Sequence, residues 1–390
     1  MERIGIYGGT FNPPHVGHMR AAEAAIGALR LDKLILMPAA QSPEKQEPDV
    51  DARHRLAMLS MAAGKGMEVS QLEIARGGTS YTVDTLRQLR QQYPQAELIL
   101  CMGSDMFLGL LNWKAPEEIL KLASLAVFSR GLRGEKEKLL QQKKLLEEQG
   151  ARVHLMDNPV TDISSTNLRR MLVFRCADAF LPEGLGDYIR EHGLYDTDRD
   201  FRNLPMEQLE QAVISLLNPN RVRHTLGCRD TAVELAKRWG ADETDAARAG
   251  ILHDVTKALD GPLQLTLCEA YGKMLSDFSR KYPKTLHALT GSLVAERIFG
   301  ENEAVVEAIR SHTTGKADMT VLQKIIYVAD YMEPCRDFPG VEDLRRLAFT
   351  DLDAALKLGL EMTLVHLANQ GSEVSPESRE ALLFLEKTGV

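Results

Sequence analysis

No stretch of this 390-residue chain is apolar for long enough to span a membrane as a helix, so a helical membrane protein is excluded. Its five cysteines, Cys101, Cys176, Cys228, Cys268 and Cys335, are odd in number, far apart and form no C-x-x-C pair. They read as reduced thiols in a cytoplasm rather than as a disulfide frame. Positive charge is also in deficit: 47 Lys and Arg stand against 55 Asp and Glu, a net charge of -8. That argues against a general nucleic-acid coat and leaves room only for a local basic pocket. Low-complexity tracts and internal repeats are missing. So is a G-x-G-x-x-G turn after a strand, which disfavours a hydride-transfer cofactor. Met1-Glu2-Arg3 leads straight into a four-residue apolar run, too short for a signal-peptide core. What is present is an ordinary globular composition, 44% hydrophobic and 26% charged. The length favours two or three domains.

The first half alternates strand-like and helical segments. Ile4–Tyr7, Lys33–Met37, Glu97–Met102, Ser124–Phe128 and Arg152–Leu155 read as strands, with helical patterns between them, among them Met19–Leu29 and the charged Glu135–Gln149. Such alternation predicts βαβ units and a parallel sheet, with ligands at the C-terminal ends of the strands. From about Met206 the strand signals vanish. Amphipathic helices are predicted over Asn220–Trp239, Thr244–His253, Leu286–Phe299, Glu303–Ser311 and Leu322–Met332. The polar string 197–205, closed by Pro205, is read as a linker. The expectation is an α/β domain over 1–196 joined to an all-α domain over 206–390.

The first chemical signal is Gly8-Gly9-Thr10-Phe11-Asn12-Pro13-Pro14-His15-Val16-Gly17-His18. A strand, a glycine-bearing loop and a helix N-terminus together form an anion site. His15 and His18, three apart, point the same way in a helical turn, which suits a nucleoside triphosphate. A tight turn carrying surface histidines is the plainer reading. Eleven specified positions after a strand outweigh it. A second signal is Ile163-Ser164-Ser165-Thr166-Asn167-Leu168-Arg169, a capped helix start with a basic residue one turn in. Alone it is merely a cap; beside the first loop it reads as a second phosphate clamp.

With Ser80–Leu86, Gly103-Ser104-Asp105, Trp113, Arg53 and the run Tyr188–Tyr195, these segments resemble the bacterial nicotinate-mononucleotide adenylyltransferases of the HxGH nucleotidyltransferase superfamily. The resemblance covers residues 1–196 and implies a Rossmann-like parallel sheet and a step in NAD biosynthesis. It implies ATP on the side of Gly8, Gly9, Thr10, Phe11, His15 and His18. Nicotinate mononucleotide would lie near Thr82, Gly103, Asp105 and Trp113, the indole stacking on the pyridine ring. His15, His18, Lys45, Ser164, Ser165, Thr166 and Arg169 would hold phosphates, with His18 steadying the developing charge. Mg²⁺ would be bound mainly by substrate oxygens and water. After the second strand the family usually has Pro-His-Lys; this chain has Pro43-Glu44-Lys45.

The helical half carries His224, His253-Asp254, His287, His312 and Asp330. A lone histidine on a helix is usually a satisfied core or surface residue, and His366 is read that way. His253-Asp254 differs: two adjacent polar groups end an apolar helix and would be costly to bury without a partner. A divalent ion supplies one, and Lys257 lies a turn later to meet a phosphate. Four imidazoles and two carboxylates suit iron or manganese better than calcium. The ordered set resembles the HD-domain phosphohydrolases, and more closely the bacterial HD-domain symmetrical diadenosine tetraphosphate hydrolases, over residues 206–390. That resemblance implies His224, His253, Asp254 and Asp330 as metal ligands. His287 and His312 would bind either a second ion or the substrate phosphates, with Arg221, Lys257 and Arg336 also at the phosphates. Water activated by the metal would release two ADP.

The expectation is therefore a bifunctional cytoplasmic enzyme using ATP, nicotinate mononucleotide and diadenosine tetraphosphate, without nucleic acid or membrane as partner. A homo-oligomer is compatible with the sequence but not specified by it. The rivals are a helical half that hydrolyses another nucleotide or phosphate ester, a helical half that only senses nucleotide, and a first half acting on nicotinamide mononucleotide or pantetheine phosphate.

Overall fold

The computed structural model describes residues 1–43, 50–131, 134–158 and 163–389. Within Met1–Asp198, the first of two units, the apolar runs pair into one parallel sheet. Its strands are β1 (Arg3–Gly9), β2 (Lys33–Pro38), β3 (Met67–Val69), β4 (Glu97–Gly103), β5 (Ser124–Phe128) and β6 (Val153–Met156). The order is β3-β2-β1-β4-β5-β6. The three-residue β3 has no counterpart among the predicted strands; only Leu34–Leu36 of β2 pairs with it, and none of its residues is fully buried.

Helices cover the sheet: α1 (Val16–Leu29), α2 (Ala52–Ala62), α3 (Leu72–Arg76), α4 (Thr82–Gln92), α5 (Ser104–Leu108), α6 (Pro116–Leu122), α7 (Glu135–Glu148), α8 (Ser165–Val173) and α9 (Leu185–Glu191). The central strands read as continuous apolar runs because both faces are covered. Ile4, Ile6, Leu98, Leu100, Leu125 and Val127 meet Val83, Leu86 and Leu89 of α4; Leu34, Leu36, Ile99 and Cys101 meet Met19, Ala22 and Ala25 of α1. Each fully buried Leu or Ile contributes about 1.5–3 kcal/mol. Strand order reverses between β1 and β4, so a crevice opens where those strands end, at Gly9 and Gly103.

The second unit, Arg199–Val390, contains only helices among its described residues. They are α10 (Met206–Leu216), α11 (Val222–Trp239), α12 (Glu243–Leu252), α13 (Gly261–Ala270), α14 (Asp277–Lys281), α15 (Leu286–Val294), α16 (Glu303–Ser311), α17 (Val321–Met332), α18 (Val341–Ala348), α19 (Leu352–Asn369) and α20 (Pro376–Lys387), with short 3-10 turns between. The single helix expected over Leu286–Phe299 changes character midway, α15 giving way to a π turn over Ala295–Phe299.

The stretch 197–205 is not a free tether. Phe201 and Leu204 are buried, and the Phe201 ring meets Phe299 edge-on at 5.7 Å. Asn203 N–H donates to Phe299 O (3.2 Å), and Arg248 Nη1 donates to Leu204 O (2.9 Å). Two apolar side chains inside a polar string are enough to seat its second part on the helical unit.

Candidate active sites

In the first unit the loop Gly8–His18 leaves β1 and enters α1. Phe11 sits in left-handed backbone (φ 48°) with its ring buried edge-on against Tyr7 (5.8 Å) and His18 (5.1 Å). That burial holds a conformation that costs a non-glycine residue about 1–3 kcal/mol. His15 caps α1 through a reciprocal pair. His18 N–H donates to His15 Nδ1 (3.3 Å), and His15 N–H donates to His18 Nδ1 (3.2 Å). A backbone N–H can only donate, so both Nδ1 atoms are acceptors and each neutral ring carries its proton on Nε2. The rings stack at 3.6 Å. The motif thus yields two Nε2–H donors at a helix N-terminus, suited to phosphate oxygens. Burial, helped by the positive charge of Arg130, pulls His15 down to about 4, so it donates as a neutral imidazole at pH 7.

The second expected clamp grips the loop itself. Ser164 caps α8, accepting from Asn167 N–H (3.1 Å). Ser165 Oγ donates to Pro13 O (3.0 Å), and Arg169 Nη1 to Asn12 O (2.8 Å). Thr166 lies 3.4 Å from Arg169 Nη2. Tyr195 OH donates to Asn12 Oδ1 (2.7 Å). Ser164, Ser165, Thr166 and Arg169 are therefore assembled with the histidine loop across more than 140 residues of sequence.

The resemblance includes Arg53 without assigning it a role. Arg53 is exposed, with its guanidinium 3.8 Å from Asp51. Arg55, one helical position pair further on, is 2% exposed. Its Nη1 donates to Thr10 O (3.0 Å) and Ala39 O (2.7 Å), and its Nη2 to Ala40 O (3.4 Å). The arginine that braces the loop is the buried one, and α-helical phase rather than residue type identifies it.

Gly103 and Asp105 lie at the C-terminal end of β4, where Asp105 Oδ2 pairs with Arg130 Nη2 (3.0 Å). Arg130, absent from the expected set, is held by its backbone: Glu135 accepts from Arg130 N–H (3.1 Å), Gly131 N–H (2.9 Å) and Ser129 Oγ (2.6 Å). Thr82 opens α4 behind Tyr81, which makes no side-chain cap. Trp113 is half-buried against the core, and its neighbour Lys114 reaches Asp84 (3.0 Å) and the Tyr81 ring (4.3 Å). This ties the Trp113 segment to the first turn of α4. Glu44 and Lys45 lie outside the described residues.

In the helical unit six ligand-type side chains converge from five helices. His224 stands in the first turn of α11, and His253-Asp254 follow α12, whose start is capped by Asp242. His287 opens α15, His312 follows α16 and Asp330 ends α17. Gly250 lets α12 approach α11: a Cβ there would lie 2.7 Å from Arg229 Cα. His253 Nε2 is 3.3 Å from His224 Nε2, 3.5 Å from Asp254 Oδ2 and 3.8 Å from Asp330 Oδ1. His224 Nε2 is 3.1 Å from Asp330 Oδ1. Asp254 Oδ1 lies 3.5 Å from His287 Nε2 and 3.8 Å from His312 Nε2.

Hydrogen bonds orient the rings. Nδ1 of His253 meets Gly250 O (2.7 Å), that of His287 meets Lys284 O (2.7 Å) and that of His312 meets Ile309 O (2.6 Å). A carbonyl only accepts, so these Nδ1 atoms carry the protons and the Nε2 lone pairs turn inward. Burial pushes His312 down to about 4 and His253 and His287 well below their ordinary value. Lone pairs therefore face lone pairs and carboxylates. Asp254, 1% exposed, has an Oδ2 that makes no hydrogen bond; it lies against the Arg221 guanidinium and the Nε2 atoms of His253 and His224. Buried acceptors packed this closely are costly unless cations lie among them. His224, His253 and Asp330 form one group able to hold an ion, and His253, Asp254 and His312 another.

The expected phosphate residues ring this cluster. Arg336 Nη2 pairs with Asp330 Oδ1 (2.6 Å), and Lys257 Nζ meets His287 Nε2 (2.8 Å). Two residues were missed. Thr313 Oγ1 bridges His287 Nε2 (3.1 Å) and His312 Nε2 (3.2 Å), and Glu333 Oε1 faces His224 Nδ1 (3.0 Å). Only their adjacency to His312 and Asp330 in sequence hinted at them.

A cytidylyltransferase-like family model matches residues 6–171, and an HD-domain model matches residues 221–335. A probable nicotinate-nucleotide adenylyltransferase/Ap4A hydrolase of Mycoplasma pneumoniae is 30% identical over 91% of this chain and 97% of its own length. The chain belongs to that fused family. Each half also has separate relatives. A probable nicotinate-nucleotide adenylyltransferase of Gemmatimonas aurantiaca is 36% identical over 51% of this chain and 99% of its own length. A symmetrical bis(5'-nucleosyl)-tetraphosphatase of Bacillus subtilis is 39% identical over 44% of this chain and 92% of its own length. The two family matches contain the histidine loop with its α8 clamp, and the ring of imidazoles, respectively. No helix among the described residues is long and apolar enough to cross a membrane.

Proposed function

We propose that the chain is a bifunctional enzyme of NAD metabolism and dinucleotide removal. Its first unit transfers AMP from ATP to nicotinate mononucleotide; its second hydrolyses diadenosine tetraphosphate symmetrically to two ADP. The observation that carries the first activity is the reciprocal His15–His18 cap, which fixes two Nε2–H donors at the N-terminus of α1. A phosphate oxygen of nicotinate mononucleotide attacks the α-phosphorus of ATP. The new P–O bond forms as the bond to the α,β-bridging oxygen breaks, and pyrophosphate leaves. No covalent nucleophile is needed; alignment and charge stabilisation suffice. His15, His18, Thr166, Arg169 and the loop backbone of Gly8–Phe11 hold the phosphates, and Ser165 fixes the loop through Pro13 O. Asp105, Thr82 and Trp113 face the pyridine nucleotide. Magnesium arrives with ATP, bound mostly by phosphate oxygens and water.

The second activity rests on four imidazoles whose Nε2 atoms converge with two buried carboxylates, Asp254 and Asp330. His224, His253, Asp254 and Asp330 would hold a divalent ion, and the N/O donor set suits iron or manganese. When bound, such an ion supplies Lewis acidity toward phosphoryl oxygens and acidifies water. The chain's own residues orient the polyphosphate through Arg221, Lys257 and Arg336, with His287 and His312 beside them. Water adds to one of the two central phosphorus atoms, its bond to the oxygen bridging them breaks, and ADP leaves on that oxygen.

Two assays on the full chain test this. ATP plus nicotinate mononucleotide should yield pyrophosphate, and diadenosine tetraphosphate plus Fe²⁺ or Mn²⁺ should yield ADP alone. His253→Ala with Asp254→Ala should abolish hydrolysis and spare adenylyl transfer. Production of ATP and AMP from the tetraphosphate, or loss of both activities in a folded variant, would overturn the assignment.

A further inference from the structure

Among the described residues, His224 alone of the four imidazoles has its Nδ1 backed by a carboxylate. The other three rest on backbone carbonyls, at Gly250, Lys284 and Ile309. Glu333 is 1% exposed, with Oε1 3.0 Å from His224 Nδ1. Its second oxygen, Oε2, accepts from Cys335 N–H (2.7 Å). The Arg336 guanidinium, which binds Asp330, lies 3.8 Å from Oε1. Glu333 is thus held at both oxygens by groups that also frame the cluster.

A second feature makes room for it. Gly227 lies inside α11, one turn beyond His224, where glycine costs helix stability relative to alanine. A Cβ at Gly227 would stand 2.7 Å from Glu333 Oε2 and 3.4 Å from Pro334 Cδ. The helix that presents His224 therefore gives up a side chain where the carboxylate approaches.

We propose that Glu333 is the positioning residue of the metal centre. By accepting the Nδ1 proton of His224 it fixes that ring's tautomer and direction, and its charge strengthens the Nε2 donor. His224 is then the strongest imidazole ligand of the cluster, and Gly227 is the space Glu333 requires. The inference rests on reading the cluster as a metal centre, but not on which phosphate compound is hydrolysed. Carboxylate partners of this kind are worth about 10–100-fold in metal affinity.

The test is a Mn²⁺ titration of the metal-stripped full-length chain, without nucleotide, followed by calorimetry. Glu333→Ala should weaken binding by about 10–100-fold. Glu333→Gln, close in shape, should fall between, because its one oxygen serves either His224 or the Cys335 amide. Gly227→Ala should weaken binding as well. Unfolding of the metal-free variants and their adenylyl transfer report that the chain is intact, and Glu333→Gln decides the matter if Glu333→Ala does not fold. Wild-type Mn²⁺ affinity in a folded Glu333→Gln variant would overturn the proposal, as would no Mn²⁺ binding by the parent. Metal binding that falls as expected, with the tetraphosphate left uncut, would uphold this inference and overturn only the substrate assignment.

Discussion

Gly250→Ala would add one methyl group where α12 presses on α11. The new Cβ would lie 2.7 Å from Arg229 Cα and 3.2 Å from Arg229 N, both backbone atoms that no rotamer change can move. Reaching an ordinary contact of 3.4 Å requires a retreat of 0.7 Å between the helices. Alanine gains about 1 kcal/mol of helix propensity over glycine. Overpacking of this kind costs about 1–3 kcal/mol. The net loss is about 1 kcal/mol, or roughly 2–4 °C in Tm for a domain of this size. The larger effect falls on the site. Gly250 O anchors His253 Nδ1 (2.7 Å), and His253 Nε2 stands only 3.3 Å from His224 Nε2 on the facing helix. Parting the helices parts two ligands, which should weaken Mn²⁺ binding about tenfold, equivalent to about 1.4 kcal/mol. Calorimetric Mn²⁺ titration and thermal unfolding measure both quantities, with adenylyl transfer as the internal control. A rise in Tm together with unchanged Mn²⁺ affinity would refute the reasoning, since propensity alone would then govern the position.

Arg55→Met should remove the brace between Thr10 and Ala39, leaving buried carbonyls without donors at about 2–4 kcal/mol in stability. Adenylyl transfer should drop at least tenfold with a raised KM for ATP while tetraphosphate hydrolysis is unchanged; steady-state kinetics of both reactions check it. Acid should weaken the first unit through His15. Its folded value of about 4 lies below the ordinary 6.5, so the unfolded chain binds more protons between those values. The stability it confers is complete above pH 6.5 and is lost as pH falls toward 4, by about 2 kcal/mol between pH 7 and pH 5. His15→Asn, which can still cap α1, should flatten that slope in urea unfolding at the two pH values; equal slopes would contradict the assignment.

The alternation of apolar runs determined the parallel sheet, and the loss of strand signals after Met206 determined an all-helical second half. Local periodicity suffices for both, because strand and helix faces are written in neighbouring residues. Residue types at fixed spacing likewise determined the histidine loop, the α8 clamp and the set His224, His253, Asp254, His287, His312 and Asp330. Tertiary structure alone decided which nitrogen each ring offers. That depends on acceptors such as Gly250 O and Glu333, and Glu333 lies 109 residues from His224. It decided that Arg55 braces the loop, since the carbonyls it meets lie 45 and 16 residues away. It also seated Phe201 and Leu204 on the helical unit, where the sequence showed only a polar string. Short-range patterns select elements; the direction of a proton or a guanidinium is set by partners that only packing brings within 3 Å or so.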